Sequence, residues 1–326
     1  MPREIVHWKV ARAAYKGLSL ILREKLPEIS EDAIFLGAIA HDAPYYLVSK
    51  VKDTKDFTQV AEYLHGTDGE DTYEPIRRLF EKVSLARKSG DEYSFTLGFL
   101  LGFLSHLVTD SIFHPPIIYL TGDYYDQDPV KANHSRRKHR ALETSLDNQF
   151  VGEDSYPTIS KVYSRFIAKA KSQELEAIYT AITPNGLDMI KSRKNWELSF
   201  QVLGYLQVGF RSRIFGSLLK MFCKKHPTLS EYEALFNANR RKVTLSISLP
   251  FEWRDPLSGS EHRSSWSDLI KISVNRTLLL WSELISSLID EEQPEFLKEV
   301  GPSLSFNLPG IKRGAVIYTT EGDKEW

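Results

Sequence analysis

The amino-acid sequence predicts an all-α protein. Apolar side chains recur at helical spacing along most of the chain, and Pro or Gly interrupts the pattern between segments. Strand-like alternation is confined to residues 243–260, with a second short extended stretch at 315–319. We therefore expect a multi-helix domain over residues 1–240, and a C-terminal extension over 241–326 that packs on it and carries one or two short strands.

The helices are predicted from their apolar stripes and from the residues that stop them. The first carries Val6, Val10 and Ala14 on one face. It should end before Pro27, and a later one before Pro115, because proline lacks the N–H that the next helical hydrogen bond needs. In chain order, the predicted helices cover residues 5–25, 31–39, 56–64, 74–88, 93–113, 130–149, 158–181, 195–225, 230–242 and 265–291.

Composition and charge exclude several classes of protein. With 42% hydrophobic and 26% charged residues, this 326-residue chain is of an ordinary globular kind, neither disordered nor fibrous. A formal net charge of −1 gives no general attraction to phosphate polymers, so bulk nucleic-acid binding is not expected. Cys223 is the single cysteine, which excludes an intrachain disulfide and a thiolate-rich zinc site.

No segment has the pattern of a signal peptide or of a transmembrane helix. Residues 1–17 carry scattered charges and lack the apolar run of a secretory leader. The most apolar window, residues 97–108, is too short for a membrane span, which needs about 20 residues. We expect a cytosolic protein in which that window forms a buried helix.

Histidines are concentrated in the first part of the chain. Seven of the nine lie before residue 140, a bias that random placement produces about once in 25. His106 and Asp110 are four residues apart in a predicted helix, so both lie on one face about one turn apart, and His114 continues the stripe. His139 and Glu143 repeat that spacing in another helix.

Side chains of these types in this spacing suit a zinc centre. Neutral imidazole and carboxylate are zinc ligands, and a rigid helix fixes their separation. Clustered ions would lower the pKa of a bridging water from about 15.7 toward 7, and the resulting hydroxide could attack the phosphorus of a phosphodiester. Either pair taken alone is more often an ordinary surface pair worth a few tenths of a kcal/mol. His7 and His65 alone are equally compatible with core packing or a helix end.

Short segments that carry these residues follow one another in a characteristic order. They read His7-Trp8, Gly37-Ala-Ile-Ala-His-Asp42, Leu64-His65, Gly102-Phe-Leu-Ser-His106-Leu-Val-Thr-Asp110, His114-Pro115 and His139-Arg-Ala-Leu-Glu143. This order resembles the zinc-dependent phospholipase C family, whose superfamily includes the fungal zinc-dependent single-strand nucleases. The resemblance covers roughly residues 1–150 and implies a compact all-helical fold whose cleft holds a trinuclear zinc cluster.

The resemblance also implies a ligand for each zinc ion. The first zinc would be held by Asp42, His65, His106 and Asp110. The second would be held by His114, His139 and Glu143. The third would be held by His7, with Asp110 as a bridge.

This chain departs from the family at the third zinc. In the secreted members an N-terminal Trp ligates that ion through its own amino and carbonyl groups, whereas this chain begins Met1-Pro2. The third site is then empty, filled by an extra water, or completed by Glu4 or the local backbone, and two zinc ions are the prediction. His134 could compete with His139, but only His139 has a carboxylate four residues on.

The resulting hypothesis is a zinc-dependent phosphoric-ester hydrolase that resembles phospholipase C and acts on small phosphodiesters or phospholipid head groups. Asp42 is the candidate catalytic residue, because it would hold and orient the attacking hydroxide and could act as a base. Tyr45, Tyr46, Tyr124 and Tyr125 could line the substrate pocket, and the basic run 134–140 could meet a phosphate.

Two alternatives remain at this point. The first is a non-catalytic, metal-stabilised helical scaffold that binds a partner through the unmatched residues after 240. The second is an HD-type metal phosphohydrolase, since His7, His41-Asp42 and Asp110 match its outline. That pattern is short and leaves His106 and the second histidine pair unexplained, so His41 is expected to pack beside the site rather than bind metal.

Overall fold

The computed structural model describes residues 4–47, 57–151, 155–212, 214–218, 221, 234–235 and 248–319. Within these ranges the protein is mostly helical, with one antiparallel two-stranded hairpin. The predicted all-α class with short strands is therefore confirmed. Cys223 and the predicted helix 230–242, apart from its residues 234–235, lie outside the described residues.

The helices are numbered here in chain order. They are α1 (Glu4–Gly17), α2 (Leu20–Glu24), α3 (Glu31–Gly37), α4 (Thr58–Leu64), α5 (Glu74–Ser89), α6 (Ser94–Thr121), α7 (Pro129–Phe150), α8 (Ile159–Lys169), α9 (Ser172–Ile182), α10 (Met189–Arg211) and α11 (Trp266–Asp290). Short 3-10 helices cover Ala43–Tyr46 and Glu295–Lys298, and the strands are β1 (Phe251–Arg254) and β2 (Glu261–Ser264).

Helix α6 is the centre of the fold. Almost all of its side chains are buried, and α1, α3, α5, α7, α9 and α11 pack around it. Among the described residues, α6 is the one helix with the length and apolar composition of a membrane span, but 89% of its apolar window is buried inside the protein. This is the pattern of a core helix, as the sequence predicts for residues 97–108.

The predicted end of this helix at Pro115 is wrong, because α6 continues through Pro115 and Pro116 to Thr121. Two adjacent prolines remove only two helical N–H donors, and their fixed φ is itself compatible with a helix. Burial on nearly every face stabilises the helix beyond that loss. His114 therefore stays on the same rigid element as His106 and Asp110.

Several other boundaries differ from the predictions for local reasons. The segment 5–25 forms two helices, since Gly17 ends α1 and Ser19 is extended. The segment 158–181 also divides, because Ala170 and Lys171 adopt extended backbone between α8 and α9. Helix α10 begins before 195, where the Asp188 side chain accepts from two backbone N–H groups.

Helix α10 also ends earlier than predicted, at Arg211, and Ser212 is extended before residues 214–218 become helical again.

Of the segment 243–260, the described part forms β1 and the turn that leads to β2. The strand predicted over 315–319 is wrong. The N–H groups of Ile317 and Tyr318 both donate to one carbonyl, that of Pro256, rather than to a strand ladder.

The closest backbone approach brings α3 against α6. A Cβ at Gly37 would lie 2.1 Å from the Phe99 carbonyl oxygen, and one at Gly102 would lie 2.0 Å from the Ile34 carbonyl oxygen. Both distances are far below contact, so only glycine fits at either position. The region that follows α3 and the face of α6 that carries His106 are thereby held close together.

The predicted boundary between residues 1–240 and 241–326 stays a prediction, but the core runs across it. One hydrophobic cluster extends from Ile5 to Leu304. Helix α11 packs on α1 and α6, and the buried Trp281 indole donates to the Leu101 carbonyl oxygen at 2.9 Å. The described C-terminal residues therefore contribute to the same core that supports α6.

Gly102→Ala should destabilise the protein by about 3 kcal/mol, because the methyl group would force α3 and α6 apart. Urea unfolding measures the change. Gly17→Ala is the matched control, since its new Cβ would meet only the flexible Leu278 side chain. Equal stability of the two variants would contradict the close-packing argument.

Candidate metal centre

Four buried side chains converge beside α6. Asp42 lies in the turn after α3, His65 follows the last residue of α4, and His106 and Asp110 lie one turn apart on α6. Each offers one potential ligand atom, and these four atoms all lie within 4.8 Å of one another. We call this set the first group. Residues up to 68 positions apart in sequence are thus brought to a single point beside α6.

Backbone carbonyls orient the two imidazoles of the first group. Nδ1 of His65 lies 2.6 Å from the Ala61 carbonyl oxygen, and Nδ1 of His106 lies 2.8 Å from that of Ala38. A carbonyl can only accept, so Nδ1 carries the hydrogen in each ring. The Nε2 atoms then face the carboxylates: that of His106 is 3.2 Å from Oδ2 of Asp110, and that of His65 is 3.3 Å from Oδ1 of Asp42.

A second group lies next to the first, where α7 packs on α6. It consists of His114, His139 and Glu143, whose ligand atoms again lie within 4.8 Å of one another. Nε2 of His139 is 2.8 Å from Oε1 of Glu143 one turn along α7. Nε2 of His114 is 3.6 Å from Oδ2 of Asp110, so that carboxylate adjoins both groups.

The remaining histidines of this region occupy different positions. Nε2 of His7 lies 3.3 Å from Oδ1 of Asp110, but among the described residues His7 belongs to no set of three potential ligands. His41 stacks on His106 and on Phe103, with ring centroids 4.3 and 3.8 Å apart. His134 is exposed on α7. Glu4, the suggested substitute ligand of a third site, accepts a hydrogen bond from Gln207 at 2.7 Å.

Burial and charge set the protonation of the cluster. Burial lowers the pKa of His7 and that of His114 to about 3, so both are neutral, the form that binds metal. Burial also disfavours protonation of His65, but the adjacent carboxylates of Asp110 and Asp42 outweigh it and raise its pKa to about 9. The pKa of Asp110 is held well below its usual value, because neighbouring imidazoles, His114 foremost, outweigh the effect of its burial.

The donor atoms fit a transition-metal ion. Both carboxylate oxygens of Asp110, Oδ1 of Asp42 and Nε2 of His106 and His114 are buried and have no hydrogen-bond partner among the described residues. A buried polar atom without a partner costs about 1–3 kcal/mol, and a charged one costs more. Imidazole nitrogen and carboxylate oxygen in sets of three and four are the ligands that zinc takes in proteins.

A cavity of about 490 Å³ opens onto both groups. Asp42 and His65 of the first group and the whole of the second group line it, whereas His106 and Asp110 do not. The other walls combine tyrosines, Arg140 and an apolar surface on α10. The tyrosines are Tyr45, Tyr46, Tyr124 and Tyr125, and the α10 residues are Val202, Leu203, Leu206 and Phe210.

Sequence reasoning missed two contributors to this site. The apolar wall of α10 could not be distinguished from an ordinary core stripe, because both have helical periodicity. The Leu304 carbonyl oxygen, which lies 3.1 Å from Nδ1 of His114, is a backbone atom and leaves no mark in the residue pattern. Asp147, one turn beyond Glu143, accepts from the N–H groups of Ile5 and Val6 and so fixes the start of α1 beside the cluster.

A family model described as zinc dependent phospholipase C matches residues 6–194, which include both groups and His7. No curated protein and no solved structure matches the chain. Helix α10 beyond residue 194, the hairpin, α11 and the C-terminal segment lie outside the matched region.

Zinc should stabilise the metal-free protein, because an ion bound only by the folded chain adds about 2.7 kcal/mol at a concentration of 100 times its Kd. Thermal unfolding of chelator-treated protein, with and without zinc, measures the shift. The Asp110→Asn variant should show little of it, since its side chain adjoins both groups. An unchanged Tm of the original protein would rule out a metal site here.

Proposed function

The chain belongs to the zinc-dependent phospholipase C family, and we propose that it is a hydrolase of phosphodiesters, acting on phospholipids or on smaller diesters with an apolar substituent. The observation that carries the proposal is the adjacency of two metal-capable groups that share Asp110 and open onto one cavity. A pair of adjoining metal sites is the arrangement that clamps both the attacking and the leaving oxygen of a phosphoric ester.

The two groups would each hold zinc. Asp42, His65, His106 and Asp110 would bind one ion, and His114, His139 and Glu143 would bind the second. When bound, zinc supplies Lewis acidity and lowers the pKa of a coordinated water toward 7. A third ion at His7 is not part of the proposal, because among the described residues His7 belongs to no set of three potential ligands.

Asp42 is the proposed catalytic carboxylate. In the first group it is the carboxylate that lines the cavity, whereas Asp110 is fully buried behind it. A carboxylate at the cavity surface can orient a water molecule toward a bound ester and accept its proton. Asp110 instead would hold the metal-binding imidazoles in register, since it contacts several of them at once.

The cavity walls suit the two ends of a phosphodiester. Arg140 lines the cavity next to His139 and brings a guanidinium that can pair with phosphate oxygens. The wall on α10 is apolar and can cover an acyl or other hydrocarbon substituent. A volume of about 490 Å³ falls within the usual range of small-ligand pockets, so the cavity holds a head group and part of a chain.

Asp110→Asn should lower kcat for a chromogenic phosphodiester about a thousandfold or more, because loss of the shared carboxylate removes several kcal/mol of transition-state stabilisation. Zinc per chain, measured by elemental mass spectrometry, should fall in parallel. Asp32→Asn is the control, since Asp32 pairs with Arg165 at the surface and does not line the cavity. Full activity of Asp110→Asn would disprove the mechanism, and a zinc-loaded protein without turnover would favour the scaffold alternative.

Leu206→Ala should raise KM for a long-chain phospholipid about tenfold, because about 1.4 kcal/mol of apolar contact is lost, while a short soluble diester is hydrolysed as before. Steady-state kinetics on both substrates measure the contrast. Leu198→Ala on the same helix is the matched control, since Leu198 is exposed and does not line the cavity. An equal change for both substrates would show that the α10 wall does not contact the hydrocarbon part.

A further inference from the structure

The C-terminal segment 301–313, here called the C-terminal strap, contacts the second metal-capable group through Leu304, which lies beside His114. We propose that this strap is a positioning element of the metal centre, which sets the orientation of His114 and so determines zinc affinity at the second group. The inference rests on zinc binding at that group, as proposed above. It assigns a role to a part of the chain that lies outside the matched region 6–194.

The key contact joins His114 to Leu304. Nδ1 of His114 lies 3.1 Å from the Leu304 carbonyl oxygen. Because the carbonyl only accepts, Nδ1 carries the hydrogen and Nε2 keeps its lone pair. That Nε2 is the atom that lies 3.6 Å from Asp110. The strap therefore selects the tautomer of His114 and aims the ring, which is the role of a hydrogen-bond partner behind a metal-binding histidine.

The same residue also contacts the first group through the backbone. The Leu304 N–H donates to the His65 carbonyl oxygen at 3.0 Å, and the Leu304 side chain is fully buried. One residue of the strap is thus bonded to a member of each group. Ser305 and Phe306, which follow it, line the cavity.

Both ends of the strap are fastened to the loop that follows His65. At the first end, the Thr72 hydroxyl donates to the Pro302 carbonyl oxygen at 2.8 Å, and the Gly301 N–H donates to Asp71 at 2.7 Å. These two bonds hold the strap at Gly301 and Pro302, which are three and two residues before Leu304. Leu304 therefore has little freedom to move away from His114.

At the second end, Arg313 makes the attachment. Its N–H donates to the Thr67 carbonyl oxygen at 2.7 Å. Its guanidinium pairs with Asp68 at 2.6 and 2.5 Å and with Glu62 at 3.0 Å. A guanidinium that bonds a carboxylate through two N–H groups fixes the orientation of the two side chains as well as their distance. None of these partners belongs to either metal-capable group, so the Arg313 side chain can be removed without changing a candidate ligand.

The test weakens both attachments and measures zinc directly. Arg313→Ala, alone and combined with Thr72→Val, is titrated with a zinc chelator in parallel with the original protein. His139→Ala is titrated as well, because the release step that it loses identifies the zinc ion of the second group. Arg165→Ala is the matched control, because its guanidinium pairs with Asp32 in the same forked way at 2.9 and 2.5 Å on α8. Nitrogen NMR of the metal-free original protein reports the His114 tautomer independently of any variant.

We expect the double variant to bind zinc at the second group at least tenfold more weakly, and the affinity of the first group to change less. Loss of a hydrogen-bond partner behind a metal-binding residue typically lowers metal affinity about 10–100-fold. Arg165→Ala should match the original, and His114 should carry its hydrogen on Nδ1. Unchanged second-group affinity in the double variant, or a hydrogen on Nε2 of His114, would overturn the strap proposal alone. An original protein that binds zinc at neither group would overturn the proposed function as well.

If the double variant does not fold, Arg313→Ala and the tautomer still decide the question. Arg313 is exposed, so its replacement should leave the core intact. An equal loss of zinc from both groups in that variant would indicate general destabilisation and would contradict a positioning role.

Discussion

A fully buried carboxylate, that of Asp110, is the constraint on which the rest of the site depends. A charge taken out of water is unfavourable unless ions or hydrogen-bond donors surround it. Four imidazole Nε2 atoms lie 3.2–3.6 Å from this carboxylate, each from a different part of the chain or turn of α6, and a cation bound by them and the carboxylate together would meet that need. The four atoms belong to His7, His65, His106 and His114. Helix α1, the end of α4 and two turns of α6 therefore meet at this one side chain.

The same constraint explains why α6 is packed so tightly. Imidazoles can converge on one carboxylate only if their helices approach closely, and the contact of Gly37 and Gly102 with opposing backbone carbonyls provides that approach. It also brings the Ala38 carbonyl oxygen to 2.8 Å from Nδ1 of His106, which orients the ring. Helix packing and ligand orientation thus depend on the same close approach. A methyl group added at Gly37 or Gly102 would disturb both.

The sequence predicted the helical class and the stripe of His106, Asp110 and His114, because helical periodicity and i, i+4 spacing are local properties of the chain. That His7, Asp42 and His65 join this stripe was implied by the resemblance to the zinc-dependent phospholipase C family and not by spacing. It did not predict the passage of α6 through Pro115, since tertiary burial outweighs the local cost of two missing donors. Nor could it predict the contact from Leu304 to His114, which joins residues 190 positions apart through a backbone atom. Contacts of that kind depend on the path of the chain and not on residue type.

The candidate metal ligands and the apolar wall of the cavity come from different parts of this chain. Every proposed ligand lies within residues 6–194, where the spacing along α6 and α7 leaves little freedom for change. The apolar wall of α10 and the strap residues Ser305 and Phe306 lie beyond that region and line the cavity where the proposed function places an apolar substituent. Substitutions there can reshape the pocket without moving a ligand, provided the Leu304 carbonyl keeps its place. Under the proposed function, the described residues after 194 would therefore adjust the fit of the apolar substituent, whereas those before it would supply the metal ligands, Arg140 and the cavity tyrosines.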